Sequence, residues 1–229
     1  MTRMLAIETS AETCSVALSV NGDVQEKFAH APMKHAELIL PAVSSLLADA
    51  GIKASRLDAI AFGRGPGSFT SLRIGIGVVQ GLAWGADVPV VPVSSLAAVA
   101  QSAFDSGSWS ESPRRIVVAM DARMKEVFHA TFVTGDDGFV AQETEEQVSI
   151  PSAVVAAGSW IAAGNGFERF DELRELAQGA VCCLPDTWPR ASVVLKLAQA
   201  WLKDNQALSA GLAQPVYIRN NVAQKPGKG

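Results

Sequence analysis

Three groups of residues in this chain have types and spacings that could do chemistry. The first is the run Gly63-Arg64-Gly65-Pro66-Gly67-Ser68-Phe69-Thr70. Three glycines and a proline within five residues neither extend a strand nor begin a helix, so they specify a tight loop. Such a loop delivers backbone N–H groups to a helix N-terminus, which is a ready anion site. Gly65 and Gly67 would shape it, and the hydroxyls of Thr9, Ser10, Ser68 and Thr70 could turn toward an anion. The same four hydroxyls serve equally as turn and capping groups. No G-K-[ST] follows the glycines, so no lysine reaches a β- or γ-phosphate. The second group is Asp121 with Arg123, at the end of an apolar strand. They either face a cleft between two halves of the chain or form a local ion pair that fixes a turn.

The third group is the histidines and cysteines. His30 and His35 are five residues apart across Pro32, and His129 stands far from both. On a helix five residues separate side chains by about 140°, so the pair cannot face one metal as an i, i+4 pair would. No metal site is expected. GPGSFTS is not the G-x-S-x-G elbow of a serine hydrolase, and Cys14, Cys182 and Cys183 lie in apolar, strand-like runs. Buried structural thiols are commoner there than nucleophiles.

These residues need a frame. Alternating or continuous apolar runs at Met4–Thr9, Cys14–Val20 and Asp23–Ala29, with Asn21-Gly22 between the last two, predict a strand followed by a hairpin. A helix follows over His35–Ala50, with Pro41 inside it. Leu57–Gly63 predicts a strand, and Ser68 or Thr70 starts a helix reaching about Trp84. That helix is apolar nearly all round and carries Gly77, Gly81 and Gly85 four residues apart, so cover on all sides is expected. Val88–Val93 and Ser94–Phe104 predict a strand and a helix.

The second half opens the same way. Ile116–Met120, ending in Asp121, Glu126–Val133 and Phe139–Val148 predict strands, and Ser149–Ala156 a short helix. Trp160–Ala163 and Val181–Leu184 predict strands, with helices at Phe170–Ala177 and Ala191–Asp204, an extended Pro215–Arg219 and a frayed basic tail from Gln224. The plan is a duplicated β-β-β-α-β-α lobe, an α/β fold with mixed sheets. Its boundaries read as a first lobe over 1–104, a linker at 105–113 and a second lobe over 114–204. The segment from about 205 to 229 is expected to pack back on the first lobe.

Composition narrows the partners. The chain has 229 residues, 48% of them hydrophobic, and a net charge of −4, which argues against a protein that grips nucleic acid alone. No apolar run is long enough to span a membrane, and the cysteine usage fits a reducing cytoplasm.

AIETSAETCSVAL, HAELILPAV, GRGPGSFTSLRIGIG, PVSSLAAVA, DARMKEVF, AAGNG and PVYIR occur in the order and spacing of the bacterial TsaB (YeaZ) proteins, which this chain closely resembles. Ser71 departs from that pattern, which usually has glycine. The resemblance implies a two-lobed actin/Hsp70-like fold and a role in making threonylcarbamoyladenosine beside the tRNA anticodon. It implies a non-catalytic subunit partnered by its paralogue TsaD and the ATPase TsaE, a homodimer when alone, and tRNA met only through the complex. No cofactor is expected, with a nucleotide at the joint interface left open. The partner face would be His35, Leu38, Ile39, Val43 and Leu46 on the first helix. From the second helix come Leu72, Ile76, Gly77, Val79, Gly81 and Gly85. The alternatives are an ATP-dependent phosphotransferase or hydrolase of the same superfold, a protease-like hydrolase, and a direct tRNA binder.

Overall fold

The computed structural model describes residues 3–107 and 115–218. The first half runs β1 (Arg3–Glu8), β2 (Thr13–Val20), β3 (Asp23–His30), α1 (His35–Asp49), β4 (Ala59–Gly63), α2 (Phe69–Ala86), β5 (Val90–Val93) and α3 (Ser95–Asp105). The second runs β6 (Arg115–Asp121), β7 (Val127–Thr134), β8 (Val140–Gln142), β9 (Gln147–Ser149) and β10 (Trp160–Ala163). It closes with α4 (Gly166–Arg169), α5 (Asp171–Leu176), β11 (Cys182–Leu184) and α6 (Ala191–Trp201).

The duplication is exact in strand order. In the first sheet the order is β3-β2-β1-β4-β5, and in the second β8-β7-β6-β10-β11, with β9 also on β7. In each, the opening strand pairs antiparallel with its hairpin partner and parallel with the next crossover strand. Leu5 lies opposite Leu18 and Ile60, and Val118 opposite Ala130 and Ala163. Asn21 and Gly22 both take positive φ, the turn that suits the right-handed twist of a two-residue hairpin.

Alternate residues of each sheet feed opposite layers. Leu5, Ile7, Val16, Leu18, Ile60 and Phe62 meet α1 and α2, while Met4, Ala6, Ala17, Ala59 and Ala61 meet α6. In the second sheet, Ile116, Val118 and Phe132 meet α3, and Val117, Ala119 and Ala162 meet Phe167 and Leu173. Each fully buried Leu, Ile or Phe contributes about 1.5–3 kcal/mol over an exposed one.

The structure departs from the sequence reading in where the last helix of each half packs. α3 follows the first lobe in the chain but covers the second sheet; α6 follows the second lobe but covers the first. The two helices also pack on each other between the sheets. Chain order alone cannot reveal this exchange, because both helices are amphipathic and either sheet would satisfy them. α6 has no side-chain cap of its own; Glu26 of β3 accepts the Ser192 N–H at 3.0 Å, and Ser15 accepts the Ala191 N–H at 2.9 Å.

Three local expectations also change. The strand foreseen over Phe139–Val148 is broken at 143–146, where the polar run turns outward and inward by need. Glu143 makes a two-pronged bond to Arg115, and Glu146 turns back to Arg64 and Ser94. The helix foreseen over Ser149–Ala156 is one 3-10 turn, Pro151–Ala153. Of the linker, Asp105 ends α3, while 108–113 lies outside the described residues, as do Arg219 and the tail from Gln224. The segment after α6 runs along the first lobe: Leu208 bridges Val90, Gln80 donates to the Ala213 carbonyl at 2.8 Å, and the Val216 N–H reaches Arg64 O at 2.8 Å.

Candidate functional site

The two lobes enclose a cleft of about 570 Å³. The glycine loop forms one wall. Gly65 takes φ +94°, the Ser95 N–H donates to its carbonyl at 3.0 Å, and the Ser68 N–H donates to Ser10 O at 2.7 Å. A side chain at Gly67 would overlap Ser10, so the loop needs glycine there for close approach. Ser10, Gly67, Ser68 and Thr70 line the cleft together with Asp121 and Arg123 from the other lobe. Gly65 and Thr9 do not. Thr9 instead donates its hydroxyl to the Ser71 carbonyl at 3.0 Å and packs against Gly75, where a side chain would overlap its Oγ1. Ser68 is the N-cap of α2, yet its hydroxyl pairs with Ser71 Oγ at 3.0 Å and not with a backbone N–H. The departure to serine at 71 is therefore accommodated inside the first turn of α2.

Asp121 and Arg123 are both cleft-lining and mutually paired. Arg123 Nη1 lies 3.5 Å from Asp121 Oδ2, and the Arg123 N–H donates to Asp121 Oδ1 at 2.8 Å. Sequence reasoning missed the other two members of this group. Glu12, from the loop after β1, accepts from Arg123 and from Arg169 of α4, the latter at 2.7 Å, and Arg169 also reaches Asp121. Carboxylates and guanidiniums thus alternate around a four-membered ring that spans the two lobes. The Asp121 side chain is 9% exposed and Arg123 66%, so the ring runs from the cleft wall out to solvent. The available signal was an acid in the ETSAET loop and an arginine in GFERF, neither informative without the fold.

Under the loop sits Glu8, fully buried at the end of β1. It accepts the Ser10 N–H at 2.6 Å and the Ser95 hydroxyl at 2.8 Å, and Gly63 leaves the room that it fills. Burial pushes its carboxyl above the usual range against those hydrogen bonds, which favour the charged form. The acid is spent on structure and does not line the cleft.

The histidines go to separate neighbours. His35 Nε2 contacts the carbonyls of Ala11 and Thr13, both at 3.1 Å; His129 meets Ser149 Oγ at 2.9 Å; His30 lies edge-on to Trp188. Burial holds His129 below its usual range. Among the described residues no three His, Cys, Asp or Glu side chains cluster as metal ligands. Cys14 is buried, and burial with the nearby Glu8 pushes its thiol up to about 11, far from a reactive thiolate. No helix among the described residues is long and apolar enough to cross a membrane.

The expected partner face needs correction. His35, Ile39, Val43, Leu46, Leu72, Ile76 and Val79 are buried in the chain's own first-lobe core, and Leu38 is half-buried against it. One 3.6-residue period marks an apolar stripe whether it meets its own sheet or another chain, so the sequence could not separate the two. Nor is α2 covered all round. Nothing lies within 4 Å of where a Cβ would stand at Gly77, Gly81 or Gly85, and Trp84 is 73% exposed.

Fold and site together define a duplicated two-lobed α/β protein of the actin/Hsp70-like type, its cleft bridged by its own charges. A family model described as TsaD: tRNA N6-adenosine threonylcarbamoyltransferase matches residues 29–226. The TsaB protein of Escherichia coli, described as a tRNA threonylcarbamoyladenosine biosynthesis protein, is 38% identical with 99% of each chain covered. That of Haemophilus influenzae is 37% identical over 98% of each. The solved structure of YeaZ from Pseudomonas aeruginosa superposes with a TM-score of 0.86 at 38% identity, covering 95% of this chain and 100% of that one. This chain belongs to the TsaB (YeaZ) family.

Proposed function

We propose that this chain serves tRNA threonylcarbamoyladenosine biosynthesis as a non-catalytic subunit that docks a TsaD-type transferase, with a TsaE-type ATPase joining the pair. The observation that carries this reading is the bare stripe of α2. Gly77, Gly81 and Gly85 present uncovered backbone to solvent beside an exposed Trp84, on a helix with few polar side chains. A helix accepts glycines at a cost of about 1 kcal/mol each, and close approach of another helix is the compensation they offer. The chain itself matches the TsaD family model over most of its length. A TsaD-type partner would therefore carry an equivalent helix pair, and the two would meet face to face about a pseudo-twofold axis, as two copies of this chain would.

The cleft supports the non-catalytic half. Among the described residues lining it there is no lysine, and its two arginines are engaged by Glu12 and Asp121. Phosphoryl transfer rests on cations held on the transferring phosphate. The test is co-purification with the transferase. The wild-type chain should form the complex, whereas Gly81→Leu should melt at or above the wild-type temperature and fail to form it. Retained complex formation by that variant, or turnover of ATP by the purified chain alone, would overturn the reading.

A further inference from the structure

Glu12 fastens one lobe to the other, and the short loop that carries it is gripped by both helices of the proposed docking face. His35 is the first residue of α1, and its Nε2 lies 3.1 Å from the carbonyl oxygens of Ala11 and Thr13, the residues either side of Glu12. Carbonyls only accept, so this nitrogen carries the proton. Ser68, the N-cap of α2, donates its N–H to Ser10 O at 2.7 Å, and Thr9 reaches the Ser71 carbonyl in the first turn of the same helix. No side chain fits at Gly67 between them. A displacement of either helix along its axis therefore carries Glu12 with it.

The receiving end in the second lobe is a strained turn. Arg123, Met124 and Lys125 take φ of 62°, 54° and 61°, consecutive left-handed conformations on residues that carry side chains. Such backbone persists only where surrounding contacts over-determine it. Here the Ala122 N–H donates to Glu126 O at 2.9 Å, the Glu126 N–H to Arg123 O at 3.0 Å, and the Arg123 N–H to Asp121 Oδ1. The turn aims the Arg123 guanidinium back at Glu12.

We propose that the Ser10–Thr13 loop transmits between the α1–α2 face and the interlobe cleft. Glu12 latches the second lobe through Arg123 and Arg169, and a partner seated on α1 and α2 sets how firmly the latch is closed. The part played by the partner rests on the function proposed above; the latch and its link to α1 belong to the free chain.

Amide hydrogen exchange on the full chain tests it, with thermal melting confirming the fold of each variant. Glu12→Gln and Arg169→Gln should each speed exchange at 119–127 by about tenfold, and the double variant should add little more. His35→Gln, which alters the first-lobe side chain bonded to the Ala11 and Thr13 carbonyls, should speed exchange at 119–127 as well. Exchange there that ignores His35→Gln, or Glu12 and Arg169 effects that simply add, would overturn the transmission. Bound transferase should change exchange at 119–127 in the wild type and not in Glu12→Gln. A complex that protects α2 yet leaves 119–127 unchanged in both would equally overturn it. Should no complex form, the docking function falls, and the His35→Gln comparison in the free chain still decides the transmission.

Discussion

The Ser95 hydroxyl donates to Glu8 Oε2 at 2.8 Å, joining the end of the first strand to the first residue of the helix that covers the other lobe's sheet. Glu8 and Ser95 are both buried, so this contact sits at the pivot where the chain leaves one lobe for the other. It also supports the Ser10 loop from beneath, since Glu8 Oε1 takes the Ser10 N–H.

A pH dependence follows from that burial. Burial raises the Glu8 carboxyl above its ordinary value of 4.5, so the folded chain holds its proton more tightly than the unfolded chain. Stability contributed by the group is complete below 4.5 and is lost as pH rises through the folded value. Glu8→Gln can accept from Ser10 and donate to Ser95 without ionising. The variant should fold, and its denaturation midpoint should fall less than that of the wild type as pH rises above 4.5.

Glu26 shifts the other way. Burial raises its carboxyl, but hydrogen bonds from the Ser192 N–H, the Ser15 hydroxyl and Arg190 outweigh that and hold it below its ordinary value of 4.5. Its contribution is therefore present above 4.5 and disappears as pH falls through the folded value. Because Glu26 caps α6 from another element, Glu26→Ala should cost about 2–3 kcal/mol at neutral pH. Urea denaturation should show the deficit shrinking in acid, and an equal deficit at all pH values would count against this account.

The elements were largely legible because each strand or helix advertises its own period. The Asn21-Gly22 hairpin, the glycine loop and the strand entering Asp121 needed only local chemistry. What was not legible depends on partners distant in sequence. Glu12 and Arg169 are 157 residues apart, and each is an ordinary polar loop or helix residue until the fold pairs them. The exchange of α3 and α6 between sheets was hidden for the same reason. Leu72, Ile76 and Val79 illustrate the converse, since an apolar stripe states that it will be buried without stating against what.

The cross-lobe contact of Arg64 with Glu146 offers a simpler stability test. Glu146 is nearly buried and accepts from both Arg64, at 3.0 Å, and the Ser94 hydroxyl that caps α3. Removing the acid strands a half-buried guanidinium and leaves the Ser94 hydroxyl without this acceptor. Glu146→Ala should destabilise by about 1–3 kcal/mol, and Arg64→Ala by less where Ser94 still satisfies the carboxylate. Equal losses from the two variants in chemical denaturation would argue against Ser94 as the second support.

Gly75 and Gly77, two positions apart on α2, should respond in opposite directions. Gly75 faces inward, where a Cβ would overlap the Thr9 hydroxyl, while Gly77 faces outward with nothing within 4 Å. Gly75→Ala must displace Thr9 from its bond to the Ser71 carbonyl, an overpacking change expected to cost about 1–3 kcal/mol. Gly77→Ala adds a methyl group in open space and removes a helix-weakening residue, so the free chain should gain up to about 1 kcal/mol. The docking reading adds a second expectation. A gain in stability at Gly77 should come with weaker association with the transferase, because the methyl holds the partner helix away from the bare backbone. Thermal melting and complex formation measured on the same two variants decide the matter. If Gly77→Ala is both more stable and fully competent for docking, the stripe is not where the partner sits.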